Sequence, residues 1–336
     1  MTTREGEIKG NMGKAKDYIP ALKYGHKIMP DDIAGMIGLP YVGSIFYVDP
    51  SAGSDTANSG TSQNDALATI AAAYAKCTSG KHDVVIIAPT GGTGRTAETT
   101  AITWAKRFTH LIGSAAPTVQ DVRAGVGFST GGSLVISENG CIFRNLTLTS
   151  SADIDETVSI TGHYNSFIGV DFKGTYNATS ADSIPWRALN INGGQENYFV
   201  NCTFGGDTFT RGAANATLEL EGAASRNVFE DCRFLMHADT AGTQVHVLLT
   251  GTSAIDRWIE FKNCSFYSFS TNNGQAVTAC MDLSAQTATG HVLCTGITSL
   301  MGGITDWEST ATGRIYMQRF TETANVLGLP LNPTVS

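Results

Sequence analysis

The chain has little charge, little proline and no long apolar run. Only 15% of its 336 residues are charged and only 9 are proline, against about 25% charged residues in an ordinary soluble domain. The 30 Asp and Glu outnumber the 22 Lys and Arg, for a net charge of -8, so the basic surface that a nucleic-acid backbone requires is missing. No stretch approaches the roughly 20 apolar residues of a membrane-spanning helix. Neither nucleic acid nor membrane is therefore expected as a partner, and the composition is not that of a disordered chain. The cysteines (Cys77, Cys141, Cys202, Cys232, Cys264, Cys280 and Cys294) are odd in number and contain no Cys-x-x-Cys pair. That argues against a disulfide framework or a zinc site and for reduced, buried thiols. The histidines show no ligand spacing, so no metal and no cofactor is expected. The N-terminus lacks an apolar core with a cleavage site, and no signal peptide is expected.

What the chain does have is glycine, 37 residues of it, together with abundant Thr and Ser and few long-chain helix formers. That balance points to an all-β protein. Repetition then decides the architecture. Five segments align without gaps: Phe143 to Leu148, Phe167 to Phe172, Phe199 to Phe204, Phe229 to Phe234 and Phe261 to Phe266, at steps of 24, 32, 30 and 32 residues. Each begins with Phe (Phe143, Phe167, Phe199, Phe229, Phe261). The third position is Asn, Gly or Asp, with Asn201, Asp231 and Asn263 in three successive copies. The fourth position holds Cys202, Cys232 and Cys264, and the sixth holds Leu148, Phe172, Phe204, Phe234 and Phe266. A second series in the same phase runs through Val135, Ser159, Asn190, Glu219, Leu248 and Asp282, at steps of 24, 31, 29, 29 and 34. Extending it by similar steps reaches Leu111–Ile112 and Val85–Ile86 upstream and Ile315–Tyr316 downstream.

Two short alternating patterns that return every 24 to 34 residues describe a chain that winds. Each strand would pair in parallel with its copy one coil later, giving a single-stranded parallel β-helix of about eight or nine coils and a rod about 40 Å long. The two Phe positions become aromatic ladders inside the coil, the cysteines a column of small buried residues, and Asn201, Asp231 and Asn263 a bend in left-handed backbone. The open end of such a rod needs a cover. An amphipathic helix over residues 66–76, with Leu67, Ile70 and Tyr74 on one face and Asn64 and Asp65 as N-cap types, is placed to supply it.

Phe46-Tyr47-Val48-Asp49-Pro50, followed by Gly53-Ser54-Asp55, a Gly/Thr-rich loop and Ala66-Leu67-Ala68-Thr69-Ile70, resembles the start of right-handed β-helix proteins of the pectate-lyase-like superfold. The Asn-Cys-x-Phe coil motif is similar to theirs as well. The resemblance spans about residues 45–320 and implies a right-handed parallel β-helix, in line with the right-handed crossover rule. It says little about function, because that fold serves lyases, hydrolases, viral spikes and inert rods.

Four segments follow: an extended N-terminal attachment arm (1–44), a leading strand, loop and capping helix (45–82), the parallel β-helix (83–320) and an extended C-terminal tail (321–336). The arm mixes Tyr18, Tyr24, Met29 and Met36 with both signs of charge, as in a segment that orders against a partner. A rod with adhesive ends resembles a bacteriophage virion component. The main expectation is therefore a non-enzymatic virion structural protein, a capsid decoration or accessory protein held by its arm. The resemblance to β-helix viral proteins implies a homotrimer. The alternative is a short tailspike-like protein that binds or cleaves a surface polysaccharide.

The candidate catalytic residues for that alternative are Glu219 and Glu221. They alternate with Leu218 and Leu220, so both should point outward, about 7 Å apart, near the spacing of inverting glycosidases. Asn190, Asn192 and Asp282 occupy related positions. A solvated polar face is the plainer reading, since no Arg or His column accompanies the pair and Arg187 is the only basic residue nearby. Asp231 belongs to the bend column. Glu230 and Lys262 share an outward position and can pair. Trp186, Trp258 and Trp307 could stack on sugars if exposed or anchor a subunit interface. The run Pro89 to Thr96 is a glycine-rich turn and lacks the spacing of a phosphate loop.

Overall fold

In the computed structural model, the structure describes residues 42–177, 179, 183–238, 243–269 and 277–318, together with 35 and 37–39. The attachment-arm residues Tyr18, Tyr24, Met29 and Met36 and the tail 321–336 lie outside the described residues.

The described chain winds as a parallel β-helix. Sixteen strands form one sheet and eight a second, and every strand pairing is parallel. The larger sheet is creased into a first and a second face, and the smaller sheet is the third face. The crease is the bend column: Asn145, Gly169, Asn201, Asp231, Asn263 and Gly296 all have φ between 51° and 61°. Asn, Asp and Gly are the types that enter this left-handed region at least cost.

The ladders form in the expected register. Phe143, Phe167, Phe199, Phe229 and Phe261 pair in sequence on the first face, and Phe172, Phe204, Phe234 and Phe266 on the second. Within the first column, Phe199 and Phe229 stack 4.5 Å apart at 3°, and within the second, Phe204 and Phe234 stack at 4.7 Å. The columns meet edge-on, as at Phe199 and Phe204, 5.8 Å apart at 65°. These rings are fully buried, and both contact geometries suit the ring quadrupole. Cys202, Cys232 and Cys264 fill the space beside the bend, each thiol donating to the carbonyl of a Phe one coil back: Phe167, Phe199 and Phe229 at 3.3, 3.5 and 3.2 Å. All seven cysteines are free and buried.

Three details differ from the sequence reading. The second series is in register from Val135 to Asp282, but its extensions belong to the other sheet. Leu111 pairs with Phe143 and Val85 with Leu111, while Ile315 pairs with Val292. The third face ends instead at Ile102–Trp104 and Ile304–Glu308. Both series alternate apolar and polar residues, so periodicity alone could not separate them. The capping helix is shorter than expected and spans Ile70–Lys76. Thr69 caps it by accepting from the Ala72 N–H, and the Glu98 carboxylate, reaching in from the first coil, accepts from the Ile70 N–H at 2.8 Å. Leu67 sits ahead of this cap and instead bridges to Val48. The helix still covers the end of the rod: Ile70 and Tyr74 are buried, and Tyr74 stacks on Trp104 at 4.0 Å. Finally, Ile37, Leu39 and Val42 pack outside the first face against Tyr47, Val84, Ile86 and Ile112, so this part of the arm covers its own rod.

Candidate active site

The third face presents the strands Glu156–Ile160, Arg187–Asn192 and Ala216–Glu221 side by side. Leu218 and Leu220 fill the lumen, so Glu219 and Glu221 point outward, as alternation requires. The two have different surroundings. Glu219 is 9% exposed. Arg187 Nε donates to its Oε2 at 2.7 Å, and the Thr250 hydroxyl donates to its Oε1. Arg187, the one basic residue expected nearby, stands at the corner between the second and third faces and lies directly on Glu219.

Glu221 is paired with a carboxylate that the sequence reading missed. Asn190, itself buried, donates through one amide nitrogen to Glu156 Oε1 at 2.8 Å and to Glu221 Oε1 at 2.9 Å. The two oxygens therefore lie within about 6 Å of each other, closer than the spacing read for Glu219 and Glu221. A signal for Glu156 existed: it precedes Ser159 by the same three residues by which Arg187 precedes Asn190. Three carboxylates, one amide and one guanidinium thus meet across three consecutive coils. Burial raises the Glu156 carboxyl above its ordinary range, and the charges of Glu219 and Glu221 add to the effect, while the Asn190 amide and Arg187 oppose it. A carboxyl raised in this way beside a second carboxyl is the kind of pairing that glycosidic cleavage uses as acid and nucleophile. Asp282 stands apart, separated from Glu219 by Leu248 in the register, and bonds to Ser284 and Ser309.

Several candidates have structural roles. Asn201, Asp231 and Asn263 form the crease. Glu230 accepts from Lys262 at 2.7 Å and from the Tyr198 hydroxyl at 2.5 Å on the first face. The three tryptophans make no common platform: Trp186 and Trp307 are buried, at 3% and 7% exposure, and only Trp258 is half-buried.

A second polar cluster, unforeseen in the sequence, lies outside the second face. Asp121 receives Arg95, Lys173 Nζ at 2.5 Å and the Tyr176 hydroxyl at 3.2 Å. Its own N–H donates to Asp171 Oδ2 at 2.8 Å. Burial drives the Asp171 carboxyl up to about 7 against that hydrogen bond and the Lys173 charge. A cleft of about 510 Å³ opens beside this cluster, walled by Phe128 and Tyr176 and lined with the hydroxyls of Thr96, Ser129, Thr149, Ser150 and Ser151. The residues involved come from four separate coils, so no single motif announces them.

No protein-family model matches the chain, and no curated protein matches it. Solved structures do. A pectate lyase, Pel9A, superposes with a TM-score of 0.51 at 14% identity, covering 82% of this chain and 74% of its own. A pectin methylesterase in complex with a hexasaccharide gives 0.51 at 17% identity, covering 78% and 80%. The fold is the pectate-lyase-like right-handed parallel β-helix. At these identities the likeness establishes architecture only.

Proposed function

We propose that this β-helix protein acts on a polysaccharide, holding an extended glycan across the third face and cleaving a glycosidic bond there. The observation that carries the reading is the juxtaposition of Glu156 and Glu221 on the Asn190 amide, with the Glu156 carboxyl pushed upward. The acid Glu156 donates its proton to the leaving oxygen while Glu221 attacks the anomeric carbon. Water, deprotonated by Glu156, then releases the sugar. The short carboxyl separation favours retention of anomeric configuration, in place of the inversion that the Glu219 and Glu221 spacing suggested. Burial and the Glu219 and Glu221 charges raise the Glu156 carboxyl, and Arg187 opposes them. The solved structures named above, an enzyme called a pectate lyase and an esterase bound to a hexasaccharide, show that this architecture can carry a glycan-acting site.

The virion role rested on residues 1–44 and 321–336, most of which lie outside the described residues, and no described contact supports it over glycan cleavage. Incubating the purified chain with a panel of neutral and acidic polysaccharides, and assaying new reducing ends, tests the proposal. Glu156→Gln is expected to lower cleavage at least about 100-fold, the smallest usual contribution of a general acid, with glycan binding retained. Cleavage that survives in Glu156→Gln and Glu221→Gln alike would sink this site. Absence of both binding and cleavage across the panel would return the chain to the structural reading.

A further inference from the structure

A cavity of about 20 Å³ lies at the corner between the second and third faces, lined by Lys173, Thr175, Trp186, Phe209 and Arg211 among others. That volume holds one water-sized or monatomic species. Three cations are buried around this corner, and two have counter-charges: Lys173 pairs with Asp121 and Arg187 with Glu219. Arg211 is different. It is 2% exposed, and its guanidinium donates only to neutral acceptors, Asn215 Oδ1 and Thr217 Oγ1 at 2.7 Å and the Val245 carbonyl at 3.4 Å. It lies 4.6 Å over the Trp186 ring. Among the described residues no carboxylate pairs with it. A buried charge without compensation is strongly destabilising.

The second observation is independent of charge. Trp186 is buried, yet its indole N–H has no acceptor, where buried donors are almost always satisfied. The residues that carry the uncompensated cation and the orphan donor both line this one small cavity, and a single negative charge with lone pairs would answer both. We propose that this cavity binds a halide-sized monoanion, held by Arg211 and the Trp186 indole N–H. A site of this size suits a monatomic anion better than a tetrahedral one such as sulfate. The lowered basicity of Arg211, brought to about 9 by burial and then by the Arg187 charge, is the strain that the anion relieves. Arg187 also donates to the Trp186 carbonyl at 2.7 Å, so the anion site adjoins the partner of Glu219. The inference stands whether or not the glycan reading holds.

Crystals soaked in sodium bromide test it by anomalous scattering. A bromide peak within hydrogen-bond reach of both Arg211 and the Trp186 indole is expected. In solution, thermal melts should show saturable stabilisation by chloride or bromide at fixed ionic strength, with sulfate inert. Trp186→Phe keeps the stacked ring and removes only the donor, and should weaken the halide at least about tenfold, as loss of a hydrogen bond to a charge does. No bromide peak at Arg211, or melts that follow ionic strength alone in parent and Trp186→Phe alike, would overturn the proposal. Because the soak uses the unmodified chain, a variant that fails to fold does not shield it.

Discussion

The lumen and the corner between the second and third faces are built on opposite rules. In the lumen, identical side chains stack on their copies one coil away, and the burial is apolar. At the corner, buried charges come from unlike positions on separate coils: Lys173 pairs with Asp121 and Arg187 with Glu219, while Arg211 has no carboxylate partner among the described residues. The first region gains from repetition, because each Phe meets a ring of the same shape at strand spacing. The second cannot repeat, because stacking like charges at that spacing is unfavourable. It is accordingly the place where chemistry can reside.

The contrast can be broken or sharpened by substitution. Phe204→Ala should cost the most, about 3–5 kcal/mol in denaturant melts, because the rings on either side cannot close the gap. A neutral result would mean the ladder is not what holds the rod. Asn201→Ala should cost about 1–2 kcal/mol by forcing an alanine to φ 51°. Gly169→Ala at the same column should behave alike, and if either is silent the crease carries no strain.

Asp171→Asn probes the charged region. The folded carboxyl titrates near 7 against an ordinary 3.8, so between those values the folded state holds the extra proton and stability falls as pH rises. Asparagine keeps the acceptor for the Asp121 N–H and cannot ionise. The variant should therefore match the parent near pH 4 and exceed it at pH 8 in urea melts. A parent whose stability is flat across that window would contradict the assignment. Cys232→Ala should be the mildest, about 1 kcal/mol, with no dependence on reductant, since its thiol is free and buried and donates to main-chain carbonyls.

How much was legible follows the same division. The Phe and Cys columns and the bend at Asn201, Asp231 and Asn263 could be read because the period preserves residue type. A further ladder was readable and missed: Asn165, Asn197 and Asn227, each two residues before a ladder Phe. The side-chain oxygen of Asn197 accepts from the Asn165 N–H and that of Asn227 from the Asn197 N–H, both at 2.9 Å. Glu219 and Glu221 were placed on the outer face correctly by alternation, and Arg187 and Asn190 were named near them, yet their contacts and the third carboxylate Glu156 were not foreseen. Arg187, Asn190 and Glu156 lie 29 to 65 residues away in the chain, and which outward side chains touch depends on how the coils align at the corner.

The order of apolar and polar residues along the chain determined by itself that the backbone winds, which side chains face inward and where it bends, because a coil repeats its own environment. Which charges meet outside the coil, how deeply Asp171, Arg187 and Arg211 are buried, and which carboxyls are pushed above their ordinary range were decided only by the three-dimensional stacking. Desolvation and Coulomb energy depend on distances across coils that no local pattern records.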